Sequence, residues 1–178
     1  KYIVSANEGE PNDAYTIDPE GTISIIDVEM DFSVSTLGFS AFESQKDKLI
    51  NKGYRVFGPG ATLAQDTEPE FVAIDSKSEI AWVTLQENNG VAKVDLKRKQ
   101  ILEILPMGLK DHSKKGNELD VSDRDGGVNL RSWPILSYYM PDAIATYQVG
   151  ANDFYITANE GDTRDYAGFG DEKRVKDL

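Results

Sequence analysis

Apolar and polar side chains alternate with a period of two through most of this chain, in short runs separated by polar turns. That spacing is the mark of half-buried β-strands. It is cleanest between residues 68 and 108. Glu70–Asp75 predicts a first strand, and a Ser-Lys-Ser-Glu turn leads to a second over Ile80–Gln86, where Trp82 and Thr84 alternate against Val83 and Leu85. Glu87-Asn88-Asn89-Gly90 forms the next turn, Val91–Leu96 the third strand, Lys-Arg-Lys-Gln another turn and Ile101–Leu105 the fourth strand. Four short strands joined by tight polar turns in about forty residues predict one blade of a β-propeller.

The flanks supply incomplete blades. Residues 2–7, 21–28 and 33–37 read as second, third and fourth strands, and residues 142–149 and 153–158 as a first and second. Glu68-Pro69-Glu70 and Met140-Pro141-Asp142 fall at matching places, with proline opening a first strand where the ladder does not need its missing N–H. Two insertions interrupt the period. Ser40-Ala41-Phe42-Glu43 has the spacing of a capping box and Gly53 that of a stop, so one short helix is expected over 41–52, with Phe42, Leu49 and Ile50 on one face. Residues 54–67 and 109–139 are rich in Gly, Asp and Pro, and loops of that length are functional or disordered. The expected organisation is an all-β propeller segment: partial blade 1–38, insertion 39–67, full blade 68–108, insertion 109–139, partial blade 140–178. Such a segment leaves strand edges open unless further blades, from the parent chain or another chain, cover them.

A repeat runs through this pattern. Tyr-Ile-Thr-Ala-Asn-Glu-Gly-Asp at 155–162 nearly copies Tyr-Ile-Val-Ser-Ala-Asn-Glu-Gly-Glu at 2–10, and Trp-Val-Thr-Leu-Gln-Glu-Asn-Asn at 82–89 is a looser third copy. In each, a strand runs straight into an acid-bearing loop, and repetition of one unit places those loops on one face. Composition gives this face its weight. Acidic residues number 31 against 19 basic ones, for a net charge of −12, which repels nucleic-acid phosphates and anionic membranes and makes neither an expected partner. Cysteine is absent, which removes disulfides and thiolate chemistry. No apolar run is long enough to span a bilayer, and no Asn-x-Ser/Thr sequon occurs. Lys1 opens almost inside a strand pattern, so the chain is expected to be a piece of a longer one.

Clustered carboxylates repel one another unless cations intervene, and hard cations such as Ca²⁺ take six to eight oxygen ligands. The candidate ligands form three groups. Asp120, Asp123 and Asp125 lie in Asp-Val-Ser-Asp-Arg-Asp-Gly-Gly, which lacks EF-hand spacing. Glu8 and Asp13 lie in the first repeat loop, and Glu160, Asp162 and Asp165 in the last. Glu70 and Asp142 open innermost strands and should point towards the central channel. The competing reading makes these residues turn formers, since Asn, Asp and Gly serve the backbone in such loops. Lys110, Arg124 and Arg164 sit among the acids and are read as pairing with neighbouring carboxylates. His112, the sole histidine, reads as a solvated loop residue. Trp82 is read as core, while Trp133 and Tyr138-Tyr139 are candidate surface contacts. Gly58-Pro59-Gly60-Ala61-Thr62 lacks the lysine of a nucleotide phosphate loop, so no cofactor-binding residues are assigned.

Six motifs, in order along the chain, carry a family resemblance: Ala-Asn-Glu-Gly-Glu-Pro-Asn-Asp (6–13), Phe-Gly-Pro-Gly-Ala-Thr (57–62), Val-Thr-Leu-Gln-Glu-Asn-Asn (83–89), Lys-Asp-His-Ser (110–113), Ser-Asp-Arg-Asp-Gly-Gly (122–127) and Thr-Ala-Asn-Glu-Gly-Asp (157–162). Together they resemble the choice-of-anchor I family, which is similar to the mesenchyme-specific cell-surface glycoproteins of biomineralising animals. The resemblance implies a secreted or surface-anchored β-propeller (periplasmic in a bacterium) longer than this chain, and it brings no catalytic residues with it. The expected function is an extracellular or cell-surface acidic propeller that binds divalent cation, Ca²⁺ foremost, in a structural, adhesive, matrix-protein or mineral-binding role. The rival is a metal-dependent phosphoesterase, as some relatives' alkaline phosphatase-like label implies. It would use Asp123, Asp125, Glu70 and Asp142 around its ions, with His112 or Lys110 aiding the leaving group. A third reading is a scaffold without a ligand.

Overall fold

A computed structural model describes residues 1–178. Alternating sequence becomes antiparallel sheet throughout. Strands β1 (Tyr2–Asn7), β2 (Thr22–Asp27) and β3 (Ser33–Gly38) form a three-stranded sheet in that order. Strands β4 (Pro69–Ile74), β5 (Ile80–Leu85), β6 (Gly90–Asp95) and β7 (Gln100–Pro106) form the four-stranded sheet, also in chain order. A narrow ribbon joins β8 (Leu109–Asp111) to β9 (Leu136–Tyr138). Strands β10 (Pro141–Val149) and β11 (Asn152–Asn159) pair as the last sheet. The fold is all-β, a partial propeller of meandering antiparallel sheets.

Local chemistry explains the tight turns. The Asp75 carboxylate accepts from the Glu79 N–H at 2.8 Å, and Asp95 does the same for Arg98 at 2.8 Å. Each is an aspartate closing the backbone after a strand. The core lies between the first two sheets. Ile23 and Ile25 of β2 meet Ala81, Val83 and Leu85 of β5 and Ala92 and Val94 of β6, all fully buried. Alternation sends Trp82 to the opposite face of β5, where its ring sits 5.0 Å from that of Tyr155 in β11. Trp82 is thus a half-buried contact between sheets rather than part of the main core. Thr146 of β10 completes this second seam by donating to the Ile74 carbonyl at 2.7 Å.

The insertion after β3 caps the main core and corrects the expected helix. Residues Ser40–Gln45 wind as a 3₁₀ helix, followed by α1 (Lys46–Ile50), and no side chain caps either start. Ser40 is not a cap because Glu43, its expected partner, is drawn away: its carboxylate accepts from the Leu63 N–H at 2.8 Å. The change of helical period also turns Ile50 outward while Phe42 and Leu49 stay buried. The true capping box lies further on. Thr62 and Gln65 exchange side-chain and backbone hydrogen bonds around the start of a second short helix, α2 (Leu63–Asp66). The later insertion is ordered too, with the β8–β9 ribbon extended by a bridge between Leu119 and Arg131. Trp133 belongs to it: its indole N–H donates to the Leu119 carbonyl at 2.9 Å, and the Arg131 guanidinium stacks 4.0 Å from its ring.

Two bulges position the functional end of the molecule. Pairing of β4 with β5 shifts between Pro69 and Val72, and pairing of β10 with β11 shifts between Pro141 and Ile144. A bulge re-aims the residues it contains, here Glu70 and Asp142. Close backbone approach fixes the neighbouring loop. A Cβ on Gly21 would lie 2.0 Å from the Thr67 carbonyl oxygen and 2.6 Å from the Pro69 ring. Gly21→Ala should therefore lower the unfolding free energy by about 1–3 kcal/mol, read as a fall in urea midpoint. An unchanged midpoint would show that the two loops are not held together in solution.

Candidate functional site

The repeat determines what the strand ends deliver. Glu8 follows β1, Glu87 follows β5 and Glu160 follows β11, each at the equivalent place in its copy of the repeat. All three line one cavity of about 400 Å³. Glu70 and Asp142, equivalent to each other at the bulged starts of β4 and β10, line it as well. One hydrophobic residue is found among the twelve that form its wall, so the cavity suits a charged ligand.

Two of these wall residues meet a buried third acid: carboxylate oxygens of Glu8, Glu68 and Glu87 lie within 4.8 Å of one another. Oxygens bound to one Ca²⁺ at about 2.3–2.6 Å stand at comparable separations. Glu68 is 1% exposed, and its Oε1 accepts from the Arg164 Nε at 3.3 Å. Asn88 fixes the backbone beneath it: the fully buried Asn88 Oδ1 accepts from the Glu68 N–H at 2.9 Å, and Nδ2 donates to the Arg55 carbonyl at 3.0 Å. Glu87 keeps one buried oxygen, Oε2, without a hydrogen-bond partner.

Burial and crowding raise these acids. Burial pushes Glu68 up to about 8 in spite of Arg164, with Glu87 and Asp66 adding repulsion. Burial likewise pushes Glu87 up to about 7, against the pull of its own backbone N–H and of Arg164, with Glu70 and Glu8 raising it further. Glu8 is raised by burial, then by Glu70 and Glu10, and Glu70 by burial, then by Asp142, Glu10 and Glu160. Burial acts to lower the Arg164 guanidinium, but Asp66 and Glu68 hold it above its ordinary value.

Residues 160–172 are strapped over this end by buried cations. Arg164 is 2% exposed and donates through Nη2 to the Asp66 carbonyl at 2.9 Å, with Nη1 3.7 Å from the Asp66 carboxylate. Arg55, also buried, pairs with Asp171 and lies against the rings of Phe57 and Tyr138 at 4.6 and 5.1 Å. Tyr166 donates to Glu10 at 3.0 Å, and Phe169 packs 5.0 Å from Tyr15.

Six expected ligands thus meet in the cavity: Glu8, Glu70, Asp142, Glu160, Asp162 and Asp165. Four stand elsewhere. Asp13 is exposed, and its backbone carbonyl receives the Gly168 N–H at 2.8 Å. Asp120 accepts from the Asn129 N–H at 2.9 Å and the Ser122 N–H at 3.2 Å, which hold its carboxyl below the usual range. Asp123 forms a bidentate pair with Arg174 at 2.9 and 2.7 Å, which lowers it too. Asp125 receives the Gly127 N–H at 3.4 Å. Arg164 pairs with acids as expected. The expectation of a solvated His112 is corrected: it is 3% exposed, because both ring nitrogens are held inside the ribbon insertion. Glu68 and Glu87 were not among the expected ligands. The third repeat copy aligns Glu87 with Glu8 and Glu160 and could have found it; Glu68 lies outside the repeat and carries no such signal.

The choice-of-anchor I domain family matches this chain over residues 1–178. A mesenchyme-specific cell surface glycoprotein of Strongylocentrotus purpuratus is 36% identical over 152 residues, which are 79% of this chain and 19% of that protein. The chain therefore spans about a fifth of the length of that curated relative. No solved structure matches it.

Proposed function

Because the chain belongs to the choice-of-anchor I family, we propose that it is part of a secreted or cell-surface β-propeller whose acidic cavity holds a divalent cation, Ca²⁺ foremost. The cation is structural: it neutralises loops arriving from the three sheets other than the β8–β9 ribbon and orders the face they share. That face then serves adhesion to a matrix or surface protein, or to mineral, and further blades of the parent protein cover the open sheet ends. The surface location rests on the family and on the relative's description as a cell surface glycoprotein.

The observation carrying the cation reading is the convergence of Glu8, Glu68 and Glu87 within 4.8 Å, with a buried Glu87 oxygen lacking a partner. Oxygen-only donors, without cysteine and with the sole histidine elsewhere, favour a hard ion over zinc. The phosphoesterase alternative has no such support, since Asp123 and Asp125 are absent from the cavity wall that holds Glu70 and Asp142.

The test is the melting temperature of the full-length protein in chelator and then across a calcium titration. A site that binds only the folded state stabilises it by about 2.7 kcal/mol at a hundred times Kd, so the melt should rise saturably. Glu87→Gln should remove most of that rise, whereas Asp123→Asn with Asp125→Asn should leave it intact. A wild-type melt indifferent to calcium would end the proposal.

A further inference from the structure

The β8–β9 ribbon holds a second group of side chains that the cation reading does not use. His112 follows β8 and is clamped by its backbone: its N–H donates to the Ile135 carbonyl at 3.0 Å, and its carbonyl accepts from the Trp133 N–H at 3.0 Å. Its ring is clamped as well. Nδ1 lies 2.6 Å from the Asn117 carbonyl oxygen. A carbonyl only accepts, so in the neutral imidazole Nδ1 carries the hydrogen and Nε2 presents a lone pair. At 2.8 Å from Nε2 stands the hydroxyl of Ser137, which is therefore the donor. Asn117 is fixed in turn, its side-chain amide donating to the Asp111 carbonyl at 2.9 Å.

A hydroxyl donating to an imidazole whose other nitrogen is oriented by a third group is the arrangement that activates a serine nucleophile. The ladder adds a cation. Lys110 pairs directly with Ser137 across the ribbon, which puts the two side chains on one face at neighbouring positions. Ser137 itself is only partly buried.

We propose that Ser137 is a nucleophile towards carboxylic esters, with His112 as its base and Lys110 facing the developing oxyanion. The serine oxygen bonds to the ester carbonyl carbon as its proton passes to His112 Nε2. The bond to the alcohol oxygen then breaks, and the same proton leaves with the alcohol. Water repeats the sequence on the acyl-serine, releasing the acid and restoring the serine hydroxyl. Nothing in this step involves the acidic cavity, so it stands or falls separately from calcium binding.

The experiment treats the full-length protein with diisopropyl fluorophosphate, which forms a serine–phosphorus bond with loss of fluoride, and maps the adduct by peptide mass. One adduct at Ser137 is expected. Ser137→Ala should abolish it, His112→Gln should slow it by about 100-fold as expected on loss of a general base, and Ser113→Ala should leave it unchanged. Absence of an adduct on wild type, an adduct at another serine, or wild-type rates in a natively melting His112→Gln variant would each overturn the proposal and leave the pair as a strut of the ribbon. Should that variant lose its native melt, the solvent isotope effect on wild-type labelling decides. Labelling must be slower in D2O, as proton transfer to a general base requires, and equal rates in H2O and D2O overturn the assignment.

Discussion

Replacing Arg164 by methionine should destabilise the protein by about 3–5 kcal/mol, the usual consequence of removing one partner from a buried ion pair. The Arg164 side chain and those of its two acidic neighbours, Asp66 and Glu68, are all buried. Without it, two buried acids remain with only neutral donors to Asp66: the N–H groups of Phe57 at 3.0 Å and Gly58 at 2.6 Å, and the Asn88 side-chain amide at 3.3 Å. Glu68 would lose the cation that opposes its rise and would keep its proton to still higher pH. The same substitution releases residues 160–172 from the main core, because Arg164 is one of the two buried arginines that tie this segment down. Urea unfolding measures the loss, and Glu68→Gln in the methionine background should restore part of it by removing an acid that no cation then faces. A midpoint for Arg164→Met within error of wild type would mean that Arg164 is not inserted between these acids in solution.

The chelated protein should lose stability as pH rises from about 5 to about 8.5, by an amount on the order of a few kcal/mol. Glu68 and Glu87 sit at about 8 and about 7 in the folded chain, above the ordinary carboxylate value. A group raised by folding holds its proton in the native state where the unfolded chain has already released it. Its stabilisation is complete below the unfolded value and is lost as pH climbs through the folded one. The raised Glu8, Glu70 and Asp66 act in the same direction. The lowered Asp120 and Asp123 act oppositely, but they lie in solvent-screened surroundings outside the cavity. Calcium should reverse the trend, since a cation replaces the protons as counter-charge and its binding releases them. Urea midpoints across this pH range, in chelator and in calcium, check both halves. Stability rising with pH in chelator would contradict the crowded, buried arrangement of these acids.

Strand positions were legible because alternation is a local property, and the repeat let three strand ends be equated without coordinates. Glu70 and Asp142 could be placed near the centre for the same reason, from the matching prolines before them. Helix starts were less legible. Ser40 and Glu43 have a capping-box spacing, yet Glu43 serves the Leu63 amide twenty residues away, a competition that no local window contains. The Thr62–Gln65 box, equally visible in sequence, survived because Gln65 accepts from the Thr62 N–H through Oε1 while its Nε2 donates to the Asp18 carbonyl at 3.2 Å, so the distant contact does not compete for the same atom.

The acids divide along the same line. Sequence by itself determined an all-β chain, an acidic face and the recurrence of one glutamate at the end of three strands, because each follows from short-range pattern and composition. It could not separate Asp123, satisfied by Arg174, from Glu87, left with a buried oxygen unpartnered. Only tertiary structure decided that Glu68 joins Glu8 and Glu87, that Arg164 crosses from the last sheet to meet it, and that His112 lies buried against Ser137. The physical reason is that hydrogen bonding and desolvation depend on distances of a few ångströms between residues far apart in the chain, and those distances exist only once the sheets have packed.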